Sequence, residues 1–175
     1  GVQTCALPIF KIIINQKMKK NKRILVTGGA GFVGTNLIKF LLKKTNYKII
    51  SIDNYTSGTK LNHVKSSRVR YLRGDTMNIS KLIKKPNQIE TIFHFGEFAR
   101  IYQSFLKMDQ CIFSNSVGSN AIFNFCLKNK IKLIYSATSA SLGNTGKDKD
   151  LSPYEIGRAH VWTPVTDVSR MPSSA

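Results

Sequence analysis

Apolar residues in this chain fall into short runs, and between some of the runs they recur at helical spacing. Runs over 23–27, 48–53, 69–72, 90–95 and 131–136 read as strands, because each is short and rich in Ile, Val, Leu, Phe or Tyr. Leu37, Ile38, Leu41 and Leu42 mark one face of a helix over 32–44. Further helices are expected over 78–84, 101–109 and 111–129. Strands alternating with helices predict an α/β fold with a doubly wound parallel sheet. The expected strand order is 3-2-1-4-5, with a ligand crevice at the C-terminal strand ends beside the first strand. No internal repeat or low-complexity segment interrupts the pattern, and Gly143 to Asp150 read as a polar loop.

The first strand runs directly into Gly28-Gly29-Ala30-Gly31-Phe32-Val33-Gly34. Gly28 suits the tight turn, Gly31 a backbone approach to a pyrophosphate, and Gly34 a close seat of the helix on the strand. Phosphates would then meet the free N–H groups and positive end of that helix. The second strand ends in Asp53, placed to accept from adenosine ribose hydroxyls and to repel a 2′-phosphate. Strand, glycine triplet, helix, strand and acid in this order predict a dinucleotide site of the Rossmann kind, with NAD preferred over NADP. A P-loop does not fit, because Thr35 follows Gly34 where a lysine is needed.

Composition changes this picture little. There are 27 Lys and Arg against 9 Asp and Glu, a formal net charge of +18. The excess is mostly lysine and is spread along the chain, with only Lys17, Lys19, Lys20, Lys22 and Arg23 closely grouped, so no specific nucleic-acid partner is expected. No apolar run reaches the length of a membrane span. Cys111 and Cys126 lack a metal-type spacing and are expected to be buried thiols in a reducing cytoplasm, and no metal site is expected.

Both ends look foreign to the domain. Gly1 to Ile9 and Ile156 to Thr166 resemble the translation of a sequencing adapter read from its two strands, and Ser169 to Ala175 its continuation. The expected organisation is a non-native or leader segment over 1–17, an incomplete nucleotide-binding domain over 18–155 that stops before the last strands, and a non-native tail over 156–175.

Thr27 to Gly34, Asp53-Asn54, Gly74-Asp75, His94-Phe95-Gly96, Tyr135-Ser136-Ala137-Thr138 and Ser152-Pro153-Tyr154 together resemble the extended short-chain dehydrogenases/reductases. These are the NAD-dependent nucleotide-sugar epimerases and dehydratases, with the UDP-glucose 4-epimerase type nearest. The resemblance implies that Gly28, Gly31, Phe32, Val33 and Gly34 hold the pyrophosphate. It places Asp53 and Asn54 at the adenosine ribose with Ser57 and Gly58 nearby, and Asp75 and Thr76 at the adenine. Phe95 and Gly96 would pass along the cofactor, and Asn115 would face the site from its helix. His94, inside an apolar strand, reads as a core histidine.

The resemblance also implies a catalytic Tyr154 acting as base toward a sugar hydroxyl, with Thr138 bonding the same oxygen; Ser136 and Ser139 are alternatives to Thr138. A tyrosine of ordinary pKa, about 10, needs nearby positive charge to serve as a base at neutral pH. The family supplies a lysine four residues later, where this chain has Arg158. Dehydratases of the family carry an Asp-Glu pair after the threonine. Ser139 and Ala140 stand there instead, which favours epimerisation. Ala99 replaces a lysine that UDP-glucose 4-epimerase carries near the cofactor. The expected function is therefore an NAD-dependent nucleotide-sugar epimerase, present here as an inactive portion, acting on a nucleotide-sugar substrate. A homodimeric whole protein is left open. A reductase or dehydratase of the same family and a non-catalytic NAD-binding protein are the alternatives.

Overall fold

The computed structural model describes residues 21–136. They form a five-stranded, wholly parallel sheet of order β3-β2-β1-β4-β5, as the pattern predicts. The strands are β1 (Arg23–Thr27), β2 (Lys48–Asp53), β3 (Val69–Arg73), β4 (Ile89–His94) and β5 (Lys132–Tyr135). Alternate residues point to opposite faces, and both faces are covered. Ile24, Val26, Ile49, Phe93 and Ile134 pack with Leu37, Ile38 and Leu41 of helix α1 (Phe32–Lys44). Leu25, Ile50, Ile52, Ile92 and Leu133 pack against the other side. Their partners there are Ile79 of helix α2 (Ile79–Leu82) and Ile122, Phe125 and Cys126 of a later helix. Burial on both faces explains why the strands read as continuous apolar runs.

The helix expected over 111–129 is present but widened in its middle, and the one expected over 101–109 is broken. Helices α3 (Ile101–Leu106) and α4 (Met108–Ile112) are separated at Lys107, whose φ of −133° and ψ of 50° are not helical. A wide π-turn over Phe113–Gly118 follows, and only then helix α5 (Ser119–Asn129). Helix α2 is likewise shorter than expected. A 3-10 turn over Thr76–Asn78 precedes it, and Ile83 turns extended just ahead of Pro86. The α3 to π-turn ridge leaves Tyr102, Phe105, Leu106 and Phe113 exposed.

Polar side-chain contacts of Arg68 and Tyr47 brace this framework. Arg68 donates to the carbonyls of Thr45 and Leu42 at 2.6 and 2.5 Å, satisfying groups that the end of α1 leaves open. A bulge in the β1–β4 ladder falls between Arg23 and Ile24, and Glu90 accepts a 3.0 Å hydrogen bond from the Tyr47 hydroxyl. Burial, then the bond to Glu90 and its negative charge, push the Tyr47 phenol up to about 12. The folded state thus holds this proton where the unfolded chain, at about 10, has lost it. Stability is expected to be intact below pH 10 and to fall between pH 10 and 12, by on the order of 2 kcal/mol. Urea denaturation across that range checks it, and Tyr47→Phe should flatten the dependence.

Candidate functional site

The C-terminal ends of β1, β2 and β4 lie level, with Thr27 opposite both Ile52 and His94. The chain leaving β1 goes to β2 on one side and the chain leaving β4 goes to β5 on the other, so a crevice opens between β1 and β4. Gly28 makes the first turn at φ +70° and donates its N–H to Ile52 O at 2.8 Å. A Cβ on it would lie 2.7 Å from the carbonyl oxygen of Phe95, so the residue is glycine for two reasons. Gly34 is forced by packing. A Cβ there would overlap Gly28 O and come within 2.7 Å of Gly29 Cα. The start of the helix is therefore seated directly on the turn that follows β1.

Gly31 differs. Its φ is an ordinary −82°, and an added Cβ would meet only Gly28 O, at 3.2 Å. The space beside it is otherwise open. The first turn of α1 holds no acidic side chain and no side-chain cap, and Phe32 and Val33 are exposed there, at 83% and 57%. Backbone N–H groups at an uncapped helix start, next to an open glycine, fit a diphosphate.

Asp53 is buried and braces this turn. Its Oδ2 accepts from Ala30 N–H at 2.9 Å and its Oδ1 from Tyr55 N–H at 2.8 Å. Each oxygen keeps lone-pair capacity for a ribose hydroxyl. Asn54 turns its amide to Asp75 Oδ1 at 2.7 Å, bringing two expected site residues into contact at the exposed rim. Ser57 is exposed on the same loop, and Gly58 backs onto Ala30, where a Cβ would come within 3.0 Å of the carbonyl carbon. Asn62 and Thr59 donate to Ala30 O at 2.8 and 3.3 Å, tying the loop to the glycine turn.

Across the crevice, Phe95 and Gly96 donate their N–H groups to Thr27 Oγ1 at 3.1 and 3.0 Å. Phe95 is half-buried against the α1 face of the core. Thr76 is buried, and the π-turn's Gly118 is small because a Cβ would strike Thr76 Oγ1. Asn115 sits in the π-turn but is only 2% exposed, and its side chain clamps a backbone segment. It accepts from Phe98 N–H at 2.6 Å and donates to Phe98 O at 3.0 Å. The structure thus gives Asn115 a hold on the loop after β4. His94 is wholly buried, with hydrogen-bond partners on both ring nitrogens. Thr138 and Tyr154 lie outside the described residues, as do segments 1–17 and 156–175.

Gly29 escaped the sequence reading. A Cβ on it would meet the Ser51 side chain and Ile38 Cδ1, so the double glycine serves packing against β2 and α1. Cys111 and Cys126 are buried thiols, neither in a disulfide, and burial pushes Cys126 up to about 12. Among the described residues no helix is long and apolar enough to cross a membrane, and no group of three or more His, Cys, Asp or Glu could hold a metal.

The model of the NAD dependent epimerase/dehydratase family matches residues 24–161. The chain belongs to that family. NAD is the cofactor of the NAD dependent epimerase/dehydratase family, and the described cradle has the features such a cofactor needs. Among solved structures, the chain is similar to the UDP-glucose 4-epimerase of Thermotoga maritima, solved with UDP-glucose, at 26% identity and a TM-score of 0.65. That match covers 78% of this chain and 48% of the other. It is also similar to the UDP-N-acetylglucosamine 4-epimerase of Methanobrevibacter ruminantium, solved with UDP-N-acetylmuramic acid. There the identity is 27% and the TM-score 0.68, over 81% of this chain and 48% of the other. The Bordetella bronchiseptica enzyme WbmG, solved with NAD, shares the fold at 21% identity and a TM-score of 0.66, over 78% and 46% of the two chains. The chain spans about half the length of the solved structures it matches.

Proposed function

We propose that this chain carries the NAD-binding part of a nucleotide-sugar epimerase. The observation that carries the reading is the Gly28 turn, braced by the buried Asp53 carboxylate through Ala30 N–H, beside the open Gly31 face at the β1/β4 crevice. In this reading Phe32, Val33 and Gly34 offer backbone N–H groups to the pyrophosphate, Asp53 and Asn54 hold the adenosine ribose, and Ser57 and Gly58 border it. Asp75 and Thr76 flank the adenine, while Phe95 and Gly96 form the far wall, steadied by Asn115. Asp53 disfavours a 2′-phosphate by charge, so NAD is preferred over NADP. Bound NAD supplies a hydride acceptor for a sugar ring carbon. Tyr154 takes the hydroxyl proton and Thr138 bonds the same oxygen. Ser139 and Ala140 offer no carboxyl group for water elimination, which supports epimerisation over dehydration. The likeness to two UDP-sugar 4-epimerases supports a nucleoside-diphosphate sugar as substrate.

Two measurements test this. Fluorescence titration should show NAD bound more tightly than NADP. The whole gene product, given UDP-glucose, should form the 4-epimer without net NADH; accumulation of NADH would instead indicate a dehydrogenase. The 175-residue chain alone is expected to turn over no UDP-hexose. Arg158 stands where the family has a lysine, and about half of the matched structure has no counterpart in this match, which leaves fewer groups to hold a sugar beside the nicotinamide. Turnover by the chain matching that of the whole protein would refute this.

A further inference from the structure

Beneath the crevice wall lies a chain of buried polar side chains that the cofactor reading does not use: Thr27, His94, Ser119, Glu97 and Tyr135. Its hydrogens can be placed by counting. Thr27 Oγ1 accepts from Phe95 N–H and Gly96 N–H. A hydroxyl oxygen has two lone pairs, both now engaged, so its own proton goes to its third neighbour, His94 Nδ1, at 2.6 Å. Nδ1 is therefore an acceptor and bears no hydrogen. The ring is neutral with its hydrogen on Nε2, which donates to Ser119 Oγ at 2.9 Å. Ser119 in turn donates to Glu97 Oε1, and the Tyr135 hydroxyl donates to the same oxygen at 2.7 Å. Every donor from Thr27 onward points toward the Glu97 carboxylate. The 3.9 Å approach of His94 Nε2 to Glu97 Oε1 is then not an ion pair, since a protonated Nδ1 would confront the Thr27 hydroxyl hydrogen.

We propose that Glu97 is a positioning residue for the cofactor wall: its carboxylate sets the direction of this hydrogen-bond chain. The proposal rests on the reading of the crevice as the NAD site. In this proposal Glu97 is ionised, and an ionised carboxylate can only accept. It obliges Ser119 to donate to it, hence to accept from His94. That fixes the Nε2–H tautomer and turns the Thr27 proton away from the Phe95 and Gly96 amides. Without the carboxylate, Ser119 can donate to Nε2 and the ring hydrogen can move to Nδ1. Thr27 Oγ1 then faces three hydrogens with two lone pairs, and the Gly96 amide is the one that loses its acceptor, because Phe95 N–H also reaches Thr27 O at 3.3 Å. Of the two directions such a buried network can run, only the one that Glu97 favours leaves Thr27 Oγ1 with no more hydrogens than it can accept.

Nitrogen-15 NMR of the histidine rings in the wild-type chain, without cofactor, reads the tautomer directly and is expected to show neutral His94 with hydrogen on Nε2. Glu97→Gln keeps an oxygen acceptor and should retain both the tautomer and, within about threefold, the NAD affinity. Glu97→Ala should populate the Nδ1–H form and weaken NAD about tenfold, the scale of one neutral hydrogen bond. If Glu97→Ala does not fold, Ser119→Ala cuts the link between Glu97 and His94 while sparing the Tyr135 bond, and should weaken NAD similarly. An Nδ1–H or protonated His94 in the wild type overturns the proposal. So does a folded Glu97→Ala or Ser119→Ala chain with unchanged NAD affinity. A wild type with the Nε2–H tautomer that binds no NAD would sink the reading of the crevice, while the direction of the chain would stand.

Discussion

Gly34→Val is expected to abolish NAD binding and to cost the fold about 3 kcal/mol or more, beyond ordinary overpacking, because the obstacle is backbone. A Cβ at this position overlaps Gly28 O and lies 2.7 Å from Gly29 Cα and 2.9 Å from Gly28 C. None of these atoms is the end of a side chain that can swing aside. Relief requires lifting the start of α1 off the turn, which moves the N–H groups that face the open side of Gly31. Lifting it also strains the contact of Leu37 and Ile38 with the sheet. Gly31→Ala is the control. Its φ is unstrained and its only near neighbour is Gly28 O at 3.2 Å, so stability should change by less than about 1 kcal/mol while NAD binding still weakens. Chemical denaturation and NAD titration of the two variants decide it. A Gly34→Val chain that binds NAD normally would remove the glycine turn from the site.

These two glycines show what a sequence pattern carries and what it leaves out. The strands were legible because burial on both faces makes each an unbroken apolar run, and parallel pairing with alternating helices constrains their order to few arrangements. The glycine turn and Asp53 were legible because the spacing itself states the geometry. The π-turn between α4 and α5 was not. Cys111, Ile122, Phe125 and Cys126 keep a helix-like spacing through it, and nothing local announces that Asn115 clamps Phe98 or that Gly118 must clear Thr76. Those contacts join residues distant in the chain, and they open the helix where it passes the site. Lys107 is similar: a good helix former set in a non-helical conformation by its surroundings. The role of Gly29 was hidden for the same reason, since the Ser51 side chain that excludes a Cβ comes from another strand. Glu97 was given no role by the sequence pattern. Its burial beside Ser119 and Tyr135 belongs to the folded arrangement of β4, β5 and α5.

Asp53→Ala is expected to act on two readouts at once, and their separation tells which role the carboxylate plays. Its oxygens accept from Ala30 N–H and Tyr55 N–H, and the residue is 8% exposed. Removing it leaves two backbone donors without acceptors, at about 1–3 kcal/mol each where water cannot reach them. Tyr55 also sits at φ +62°, a conformation that a bulky residue keeps only when its surroundings hold it. The variant should therefore lose about 3 kcal/mol of stability, seen as a lower denaturation midpoint. Loss of the negative charge should at the same time remove the penalty on a 2′-phosphate, so that the affinities for NAD and NADP converge. Asp53→Asn separates these effects. It retains one oxygen acceptor, so it should recover part of the stability, but it carries no charge and should still discriminate poorly between the cofactors. Lower stability with an unaltered preference for NAD would make Asp53 a brace of the glycine turn and nothing more. Unchanged stability with equal affinities would make it a ribose ligand whose hydrogen bonds to Ala30 and Tyr55 are incidental. Only a change in both supports a carboxylate that shapes the turn and reads the cofactor with the same two oxygens.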